Sequence, residues 1–363
     1  MKIGFVLDDG LDRGDGVQQY MLTLGKWLCS QGHEIHYLVG QTHRTDIPYV
    51  HSLSRNLFVR FNGNRMSIPL PANNKRIKTL LNSEKYDVLH VQMPYSPFLA
   101  AKVIRFAPLD TKIVGTFHIL PYGRLQSFAA RLLSWYLRDT NKRMSNIWSV
   151  SEPARIFAQQ ISITSSVLPN VINLAKFKIV KAKPGSFRIV FLGRLVKRKG
   201  CYELLKAFKL VIAENPEIIL HIGGSGPENK RLRNWVSNNG LANKVIFDGY
   251  IEEADKALYL AKADIAVFPS LGGESFGIVL LEGIASGAGV VLGGNNPGYS
   301  SVLGSIPDCL FDPRESSKFA NLLIDLYEDR KKRLDLHYNQ QNLVKKFDVA
   351  VVGEKLLSYY QQP

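Results

Sequence analysis

Short apolar runs alternate with amphipathic stretches along the whole chain. Such runs predict buried parallel strands, and the stretches between them carry apolar residues at helical spacing. The alternation predicts an α/β fold with parallel sheets. In the first half, strands are expected at Lys2–Leu7, Glu34–Val39, Val88–Val91, Lys112–Phe117, Asn146–Val150 and Ser166–Leu168, and helices at Val17–Ser30, Asn73–Asn82, Leu125–Arg138 and Glu152–Gln160.

A second series of strands follows a break in composition at Lys181–Ser186, which predicts a linker. Two such series predict two Rossmann-like lobes, residues 1–180 and 186–350. Ligands bind outside the carboxyl ends of parallel strands, so site residues are expected in the loops after strands. The second series of strands is expected at Phe187–Leu192, Ile218–Ile222, Lys244–Phe247, Asp264–Phe268 and Gly289–Leu292.

The most informative loop follows the strand that ends at Phe268. It places Glu274 and Glu282 eight positions apart, where a glycine-bearing loop opens into an apolar helix. The N-terminus of a helix offers unpaired N–H groups to a phosphate. Eight helical residues rise about 12 Å, roughly the reach of a diphosphate with a sugar at either end. One glutamate then suits a hexose and the other a ribose; the alternative is a helix cap at Glu274 and a solvated Glu282.

A basic loop, Gly193-Arg194-Leu-Val-Lys197-Arg198-Lys199-Gly200, follows the first strand of the second series. Arg194 and Lys199 can clamp a diphosphate and stabilise the charge that grows on a leaving group. Lys197 and Arg198 are expected to point outward. The alternative for the whole loop is a solvated basic turn.

The order of these loops resembles glycosyltransferase family 4, retaining enzymes of the GT-B fold in which two Rossmann-like lobes face a cleft. Residues 272–280, Gly-Gly-Glu-Ser-Phe-Gly-Ile-Val-Leu, are similar to the phosphatidylinositol mannosyltransferase branch. The resemblance covers nearly the full length. It implies that lobe 1–180 binds the acceptor and lobe 186–350 binds a nucleotide sugar, with the last helix, 351–363, packing back on the first lobe. It also implies front-face transfer, in which the leaving phosphate helps to deprotonate the acceptor.

The resemblance assigns a role to each matching residue. Family members usually carry two adjacent glycines after the first strand, whereas here Asp15 separates Gly14 from Gly16, and the phosphate contact is assigned to Gly16. A histidine at a strand end is often structural, but the family's Thr-Phe-His places His118 against the transferred sugar. The catalytic set is then His118, Arg194, Lys199 and Glu274, and the donor-binding set is Gly16, Gly224, Gly226, Tyr250, Ile251, Ser275, Phe276, Gly277, Ile278 and Glu282.

No cofactor and no metal ion are expected. Asp8 and Asp9 end the first strand, and successive side chains of a strand point to opposite faces. They are therefore not expected to form a metal pair. Instead, Arg194, Lys199 and the helix N-terminus are expected to neutralise the charge of the diphosphate.

The charge of the chain is strongly basic, and most of the excess lies in the first half. The net charge is +15, of which residues 1–180 carry +11, from 22 Lys and Arg against 11 Asp and Glu. Such a lobe favours an anionic partner, either nucleic acid or an anionic membrane. No nucleic-acid module is present, so nucleic acid is not expected. Generic solubilising charge is the remaining alternative.

Two helices of this lobe are candidates for membrane contact. Lys75, Arg76 and Lys78 cluster on one of them, with Arg55, Arg60 and Arg65 nearby, and the similar mannosyltransferases carry a basic helix at this place. The helix Leu125–Arg138 is either a second membrane-surface helix or an ordinary core-packing helix. It combines three arginines with large apolar residues, namely Arg124, Arg131, Arg138, Phe128, Leu132, Trp135 and Tyr136.

Other features concern the compartment. The first apolar run is too short for a signal peptide, and no segment offers the length of apolar sequence that a membrane span needs. Cys29, Cys201 and Cys309 form no metal spacing and leave an odd thiol, which fits a reducing compartment. A cytoplasmic protein, peripheral on the inner face of the cell membrane, is expected.

The expected function is transfer of a hexose, with mannose favoured, from GDP-mannose or a similar donor to a lipid such as a phosphatidylinositol. One alternative in the same family is a polyprenyl-linked or polysaccharide acceptor with a UDP-sugar donor. A non-catalytic sugar-nucleotide-binding protein, an epimerase and a phosphorylase are alternatives from other classes. The sequence leaves the nucleobase, the hexose and the acceptor open.

Overall fold

The computed structural model describes residues 1–12, 14–61, 64–177 and 186–362, without the side chains of residues 58–66. The linker predicted at Lys181–Ser186 lies outside these residues, apart from Ser186, and so do the side chains of Arg60 and Arg65. The chain forms two compact units. Unit 1 comprises Met1–Val171 and Val349–Pro363, and unit 2 comprises Ile172–Asp348.

Unit 1 is built on a seven-stranded sheet in the order β3-β2-β1-β6-β7-β8-β9, in which every neighbouring pair is parallel. A two-stranded antiparallel ribbon, β4 with β5, stands apart from it. The elements of this part are β1 Lys2–Leu7, α1 Gly16–Ser30, β2 Glu34–Val39, β3 Val50–Ser52, β4 Asn56–Phe61, β5 Asn64–Pro69, α2 Asn74–Glu84, β6 Val88–Met93, α3 Ala100–Phe106, β7 Lys112–Phe117, α4 Arg124–Tyr136, α5 Arg138–Asn141, β8 Asn146–Ser149, α6 Glu152–Gln160 and β9 Ser166–Val167.

Unit 2 holds a six-stranded sheet in the order β12-β11-β10-β13-β14-β15, again with parallel neighbours throughout. Both sheets are parallel and carry helices between their strands, which confirms the predicted α/β class. The elements are β10 Arg188–Leu192, α7 Cys201–Glu214, β11 Ile219–Gly223, α8 Asn229–Asn238, β12 Val245–Gly249, α9 Lys256–Ala261, β13 Ile265–Phe268, α10 Ile278–Ala285, β14 Val290–Gly294, α11 Pro297–Leu303, β15 Leu310–Phe311, α12 Ser316–Glu328 and α13 Arg330–Val344.

The last helix, α14 Val349–Gln361, belongs to unit 1. The hydroxyl of Tyr360 lies 2.6 Å from Nδ1 of His90, a fully buried residue of β6. Gly353 lies so close to the ring of Trp27 on α1 that an added Cβ would come within 2.6 Å of it. The helix therefore completes the core of the unit in which the chain begins. No helix of the described residues is long and apolar enough to cross a membrane.

The strands that the sequence predicts agree with the structure, whereas several short elements went unpredicted. They include β3, the ribbon β4–β5, α3 and the edge strand β15. Strands β3 and β5 lack a continuous apolar run, and that of β4 is limited to residues 57–59. All three strands lie at or beyond the edge of the main sheet. The helix predicted at Leu125–Arg138 is divided, since α4 ends at Tyr136 and α5 begins at Arg138.

Candidate functional site

The loops after β10 and β13 meet at the point where the strand order of unit 2 reverses. Strands β10 and β13 are neighbours in the sheet, with β11 on the far side of β10 and β14 on the far side of β13. Such a switch point leaves a crevice at the carboxyl ends of the strands, where open α/β sheets bind their ligands. Lys199 follows β10 and Glu274 follows β13. The topology therefore brings together residues that are 75 positions apart in sequence, since 274 minus 199 is 75.

Backbone contacts hold these two loops against each other. The N–H of Leu271 donates to the carbonyl of Arg198 at 2.8 Å. Gly200 has φ +72°, and an added Cβ would lie 1.8 Å from the carbonyl oxygen of Pro269. Glycine is required here by both the left-handed backbone and the close approach. The basic loop and the glutamate loop are thus one backbone-bonded assembly.

Glu274 is the centre of this assembly. Its Oε1 accepts from Nη1 of Arg198 at 2.6 Å, from Nζ of Lys199 at 2.9 Å and from Oγ of Ser270 at 2.8 Å. Its side chain is 13% exposed. The sequence prediction placed Glu274 on a sugar and Lys199 on a diphosphate, and the structure joins them as an ion pair.

The electrostatics of the cluster keep the carboxylate charged. Burial raises the pKa of Glu274, but the charges of Lys199 and Arg198 and hydrogen bonds from Lys199 and Ser270 oppose it, and the resulting pKa is about 2. Burial lowers the pKa of Lys199, against the opposing charge of Glu274. At neutral pH Glu274 is consequently a pure hydrogen-bond acceptor, suited to hydroxyl groups.

The outward orientation expected for Arg198 is wrong. Lys197 and Arg194 are exposed, whereas the Arg198 side chain is 22% exposed and points to Glu274. The reason is the tight turn at Lys197–Lys199, a 3₁₀ helix with three residues per turn, in which successive side chains diverge by about 120°. Lys197 is thereby directed to solvent, and Arg198 and Lys199 both reach the carboxylate.

The helix after the glutamate loop begins later than the sequence predicted. Helix α10 begins at Ile278, so Glu274 lies in the loop and only Glu282 lies on the helix. We expected Glu274 and Glu282 to be about 12 Å apart because eight residues between them would be helical. That reasoning is wrong, because about four of those residues are not helical. Gly277, with φ +119°, turns the chain into the helix, and an added Cβ would lie 2.6 Å from the ring of Tyr299.

The residues around this turn differ in environment. The ring of Phe276 is 2% exposed and packs edge-on against Phe347, so its side chain is a core group. Ser275 and Ile278 are half-buried. Of these residues, only Ser275 and Ile278 are partly accessible, and Gly277 is buried with Phe276.

Glu282 is the second carboxylate of the predicted pair. Burial raises its pKa, while Nζ of Lys256 lies 3.9 Å from Oε1 and opposes that shift. Lys256, the first residue of α9, pairs more closely with Glu253 at 2.5 Å. Glu282 is thus neither solvated nor fully neutralised, and the alternative of a solvated carboxylate is excluded.

The glycine loop after β11 packs against the start of the basic loop. An added Cβ on Gly224, which has φ +131°, would lie 1.9 Å from the carbonyl oxygen of Gly193, and one on Gly226 would lie 2.4 Å from that of Leu195. The N–H of Leu195 donates to the carbonyl of Ser225 at 2.9 Å. These two glycines therefore have a structural role in joining loops, whatever ligand lies beside them.

The predicted nucleobase loop follows β12. Tyr250 is 67% exposed, and Ile251 is half-buried. The N–H of Gly224 donates to the carbonyl of Gly249 at 2.5 Å. The loop that carries Tyr250 and Ile251 is thereby attached to the loop that carries Gly224, at the same edge of the sheet as Glu274.

In unit 1, His118 follows β7. Its Nε2 lies 2.7 Å from Oε1 of Gln92 on the neighbouring strand β6, and the ring of Tyr20 contacts it edge-on at 5.2 Å. Burial lowers the pKa of His118 to about 3. The imidazole is therefore neutral at physiological pH, and since Nε2 donates to the amide oxygen, Nδ1 is an acceptor.

The loop before α1 shows what the departure at Asp15 does. Asp15 is the N-cap, and its carboxylate accepts from the N–H of Gln18 at 3.3 Å. Gly16 is exposed and is the first residue of the helix. Gln18 is 1% exposed, and neither polar atom of its side chain has a hydrogen-bond partner among the described residues. Sequence reasoning missed Gln18, since only its burial in the tertiary structure distinguishes it from other glutamines.

Asp8 and Asp9 accept hydrogen bonds from different backbone groups, and Oδ1 of Asp9 accepts from the N–H of Gly10 at 2.7 Å. Asp8 accepts from the N–H groups of Ser96 and Ala100 after β6. Burial raises its pKa to about 6, against these hydrogen bonds. Asp8 thus joins the ends of β1 and β6 at the switch point of unit 1.

One group of residues in the described part of the chain has potential metal ligands close together: Glu34, His36 and Glu84. The ammonium of Lys2 lies 3.0 Å from Glu34 and 2.9 Å from Glu84. Lys2 therefore already supplies the cation that these carboxylates need.

The basic helix α2 presents its cations to solvent. Lys75, Arg76 and Lys78 are exposed, while Ile77 and Leu81 are buried beneath them. Nζ of Lys78 lies 4.7 Å from the ring centroid of Phe106 on α3. The structure thus places the three predicted membrane-contact residues on the surface of unit 1.

Comparisons with known proteins match the chain to two family models and to curated relatives. Residues 14–176 match the family model described as Glycosyltransferase Family 4, and residues 174–343 match the one described as Glycosyl transferases group 1. Among curated relatives, the phosphatidyl-myo-inositol mannosyltransferase of Mycolicibacterium smegmatis is 29% identical over 99% of this chain and 94% of its own length. The protein of the same name from Mycobacterium tuberculosis is 30% identical over 80% of this chain and 77% of its own length.

Solved structures share the fold. A glycosyltransferase from Rickettsia africae superimposes with a TM-score of 0.76 at 15% sequence identity, over 99% of this chain and 98% of its own. At that identity the likeness concerns the fold alone.

Proposed function

We propose that this chain, which belongs to glycosyltransferase family 4 and has the GT-B fold, transfers a hexose with retention from a nucleotide-diphosphate sugar to a membrane lipid. Mannose is the favoured hexose and GDP-mannose the favoured donor, because the relatives that match most of the chain are named mannosyltransferases. A phosphatidylinositol is the favoured acceptor on the same ground. The single observation that carries the proposal is the cluster of Glu274, Lys199 and Arg198 at the switch point of unit 2.

The donor is proposed to bind across this cluster. Lys199, Arg194 and Arg198 stabilise the diphosphate, whose negative charge increases as the sugar–phosphate bond breaks. The N–H groups at the start of α10 add hydrogen-bond donors at Phe276, Gly277 and Ile278. This charge stabilisation needs no metal ion.

The sugar is proposed to meet Glu274. All three contacts described for this carboxylate fall on Oε1, so Oε2 is proposed to accept from hexose hydroxyls. A pKa of about 2 keeps Glu274 ionised, which excludes a role as a general acid at neutral pH. Its role is therefore to orient the hexose while Lys199 and Arg198 turn to the diphosphate.

Glu282 is proposed to bind the ribose of the donor. Its burial and the distance of 3.9 Å to Lys256 leave the carboxylate incompletely paired, so that ribose hydroxyls can donate to it. Gly224, Gly226, Tyr250 and Ile251 are proposed to border the nucleoside. These contacts persist from ground state to transition state and contribute to binding rather than to turnover.

Unit 1 is proposed to bind the acceptor. Neutral His118 offers Nδ1 as an acceptor for a hydroxyl of the transferred sugar, and the unpartnered amide of Gln18 is proposed to bind a polar group of the acceptor. Gly16, exposed at the start of α1, is proposed to contact phosphate. The leaving phosphate itself removes the acceptor proton, so no protein base is required.

The cellular setting is proposed to be the inner face of the cell membrane. Lys75, Arg76 and Lys78 each contribute about 1 kcal/mol to attraction by anionic headgroups. Replacing all three with serine is expected to weaken binding to anionic vesicles about a hundredfold, measured by co-sedimentation, with donor binding as the control. Unchanged sedimentation would mean that α2 is only a solvated face.

The function is tested with purified protein, extracted membrane lipids and a panel of labelled sugar nucleotides. Labelled lipid product with GDP-mannose, and retention at its anomeric carbon by NMR, is the expected result. Lys199→Ala and Glu274→Ala should each lower turnover at least tenfold, about 1.4 kcal/mol in barrier. Binding of every donor without any turnover would instead favour a non-catalytic sugar-nucleotide-binding protein. Release of free sugar without an acceptor would favour an epimerase.

A further inference from the structure

Helix α4 has its large apolar side chains on the outside of unit 1. The core-packing alternative for this helix is therefore wrong, since its protein-facing side carries mainly small residues and one large apolar residue, the half-buried Leu133. Ser134 is buried and donates to the carbonyl of Ile161 at 2.7 Å, and Ser127 and Ala130 on the same side are half-buried. The exposed fractions of the apolar residues are 70% for Leu125, 59% for Phe128, 52% for Leu132, 71% for Trp135 and 67% for Tyr136.

These five residues form one continuous surface, which we name the α4 ridge. At about 100° per residue their spacing places them within an arc of about 120° on the helix. Arg124 and Arg131, two turns apart, lie along one border of the arc, and Arg138, the first residue of α5, continues the row. No aspartate or glutamate occurs between Asp110 and Asp139.

The composition of the α4 ridge indicates its partner. Contiguous apolar surface of this kind is rare on soluble proteins unless it binds something. Tryptophan and tyrosine favour the boundary between hydrocarbon and headgroups, and arginine binds phosphate through two parallel hydrogen bonds. If the partner were the same helix of a second copy of the chain, that helix would offer no acidic residue to pair with the arginines.

We propose that the α4 ridge inserts into an anionic bilayer, with the helix parallel to the membrane plane and its arginine row at the lipid phosphates. An interfacial helix of this kind buries its apolar face about 5–10 Å into the headgroup and acyl boundary. The contact differs from that of α2, which is electrostatic and screened by salt. The insertion of the α4 ridge rests on the proposed function only because that function places the protein at a membrane.

Trp135 provides the test, because it is the exposed one of the four tryptophans of the chain. The full-length protein is mixed with vesicles of phosphatidylcholine and phosphatidylglycerol at high salt, without donor or acceptor lipid. The emission of Trp135 is expected to shift to shorter wavelength and to be quenched by lipids brominated on their acyl chains. Trp135→Phe should lose this signal and retain vesicle binding, which assigns the signal to position 135.

Matched substitutions test the energetics. Phe128→Ser with Leu132→Ser is expected to weaken vesicle binding at high salt at least tenfold, an effect roughly in line with two apolar groups returned to water. The control replaces Leu109 and Leu210, which are 96% and 42% exposed outside the α4 ridge, with serine, and is expected to bind like the parent. All of these positions are exposed, so the variants are expected to fold normally.

Two results would overturn the proposal. Vesicle binding without quenching of Trp135 would place the contact elsewhere on the protein. A concentration-dependent blue shift without lipid, together with a dimeric mass, would show that the α4 ridge covers a second copy. Because donor and acceptor are absent from this experiment, neither result affects the proposed transfer reaction.

Discussion

Replacing Glu274 with glutamine is expected to destabilise unit 2 by leaving two cations without their shared counter-charge. Arg198 Nη1 and Lys199 Nζ lie 2.6 and 2.9 Å from the same oxygen, so the two nitrogens are at most 5.5 Å apart, the sum of those distances. At an effective dielectric constant of about 20, two unit charges at that separation repel by about 3 kcal/mol. Rotation of the side chains relieves part of this, and we expect a loss of about 2 kcal/mol in unfolding free energy.

The same variant is expected to respond more strongly to an anion than the parent does. Inorganic pyrophosphate supplies the missing negative charge, so it should raise the unfolding midpoint of Glu274→Gln more than that of the parent protein. Both midpoints are measured by chemical denaturation, with and without pyrophosphate, at neutral pH. The effect should diminish at high salt only slightly, because the cations are largely buried.

A matched control separates this effect from the loss of any carboxylate. Glu315 of the same unit pairs with Lys318 at 2.9 Å, with side chains 49% and 79% exposed. Glu315→Gln is expected to change the unfolding free energy by less than about 0.5 kcal/mol, as exposed pairs contribute little. If Glu274→Gln unfolds at the same midpoint as this control, and pyrophosphate stabilises both equally, the carboxylate does not neutralise the cations as described.

Four further outcomes are expected. Glu282→Ala should raise the dissociation constant for the donor while kcat at saturation stays nearly unchanged; a large fall in kcat would contradict a ribose contact. Gly224→Ala should lower the unfolding free energy by more than about 2 kcal/mol, because its Cβ would meet the carbonyl of Gly193; a parent-like stability would exclude that contact. The folded pKa of His118, about 3, lies below the ordinary value of 6.5, so the unfolded chain takes up the proton first and stability falls as the pH drops from 6.5 towards 3. The full loss is about 5 kcal/mol at most, of which about 2 kcal/mol falls between pH 7 and pH 5. Denaturation at pH 7 and pH 5 should show a smaller loss in His118→Asn. EDTA should leave lipid glycosylation intact, whereas complete loss that added metal restores would refute charge stabilisation by protein cations alone.

Much of the fold follows from the sequence because a strand of a parallel sheet is buried on both faces. Such strands need continuous apolar runs, and the bounds predicted for Lys2–Leu7, Glu34–Val39 and Lys112–Phe117 are those of the structure. Strand β3 lies at the edge of its sheet and the ribbon β4–β5 stands apart from it. These strands therefore do not need long apolar runs, and the sequence did not predict them. The presence of Glu274 and Lys199 in loops after strands also followed from this pattern.

What only the tertiary structure decided is which of these residues meet. The neighbouring positions of β10 and β13 bring Lys199 to Glu274, and the 3₁₀ turn adds Arg198, which the sequence had placed in solvent. Burial likewise distinguishes neutral His118 and unpartnered Gln18 from ordinary surface residues. The local pattern of α4 was equally compatible with a core helix and a surface helix, because periodicity shows that one face is apolar and not which way that face points. Its orientation was decided by the small residues that fit against unit 1, which left the α4 ridge outside.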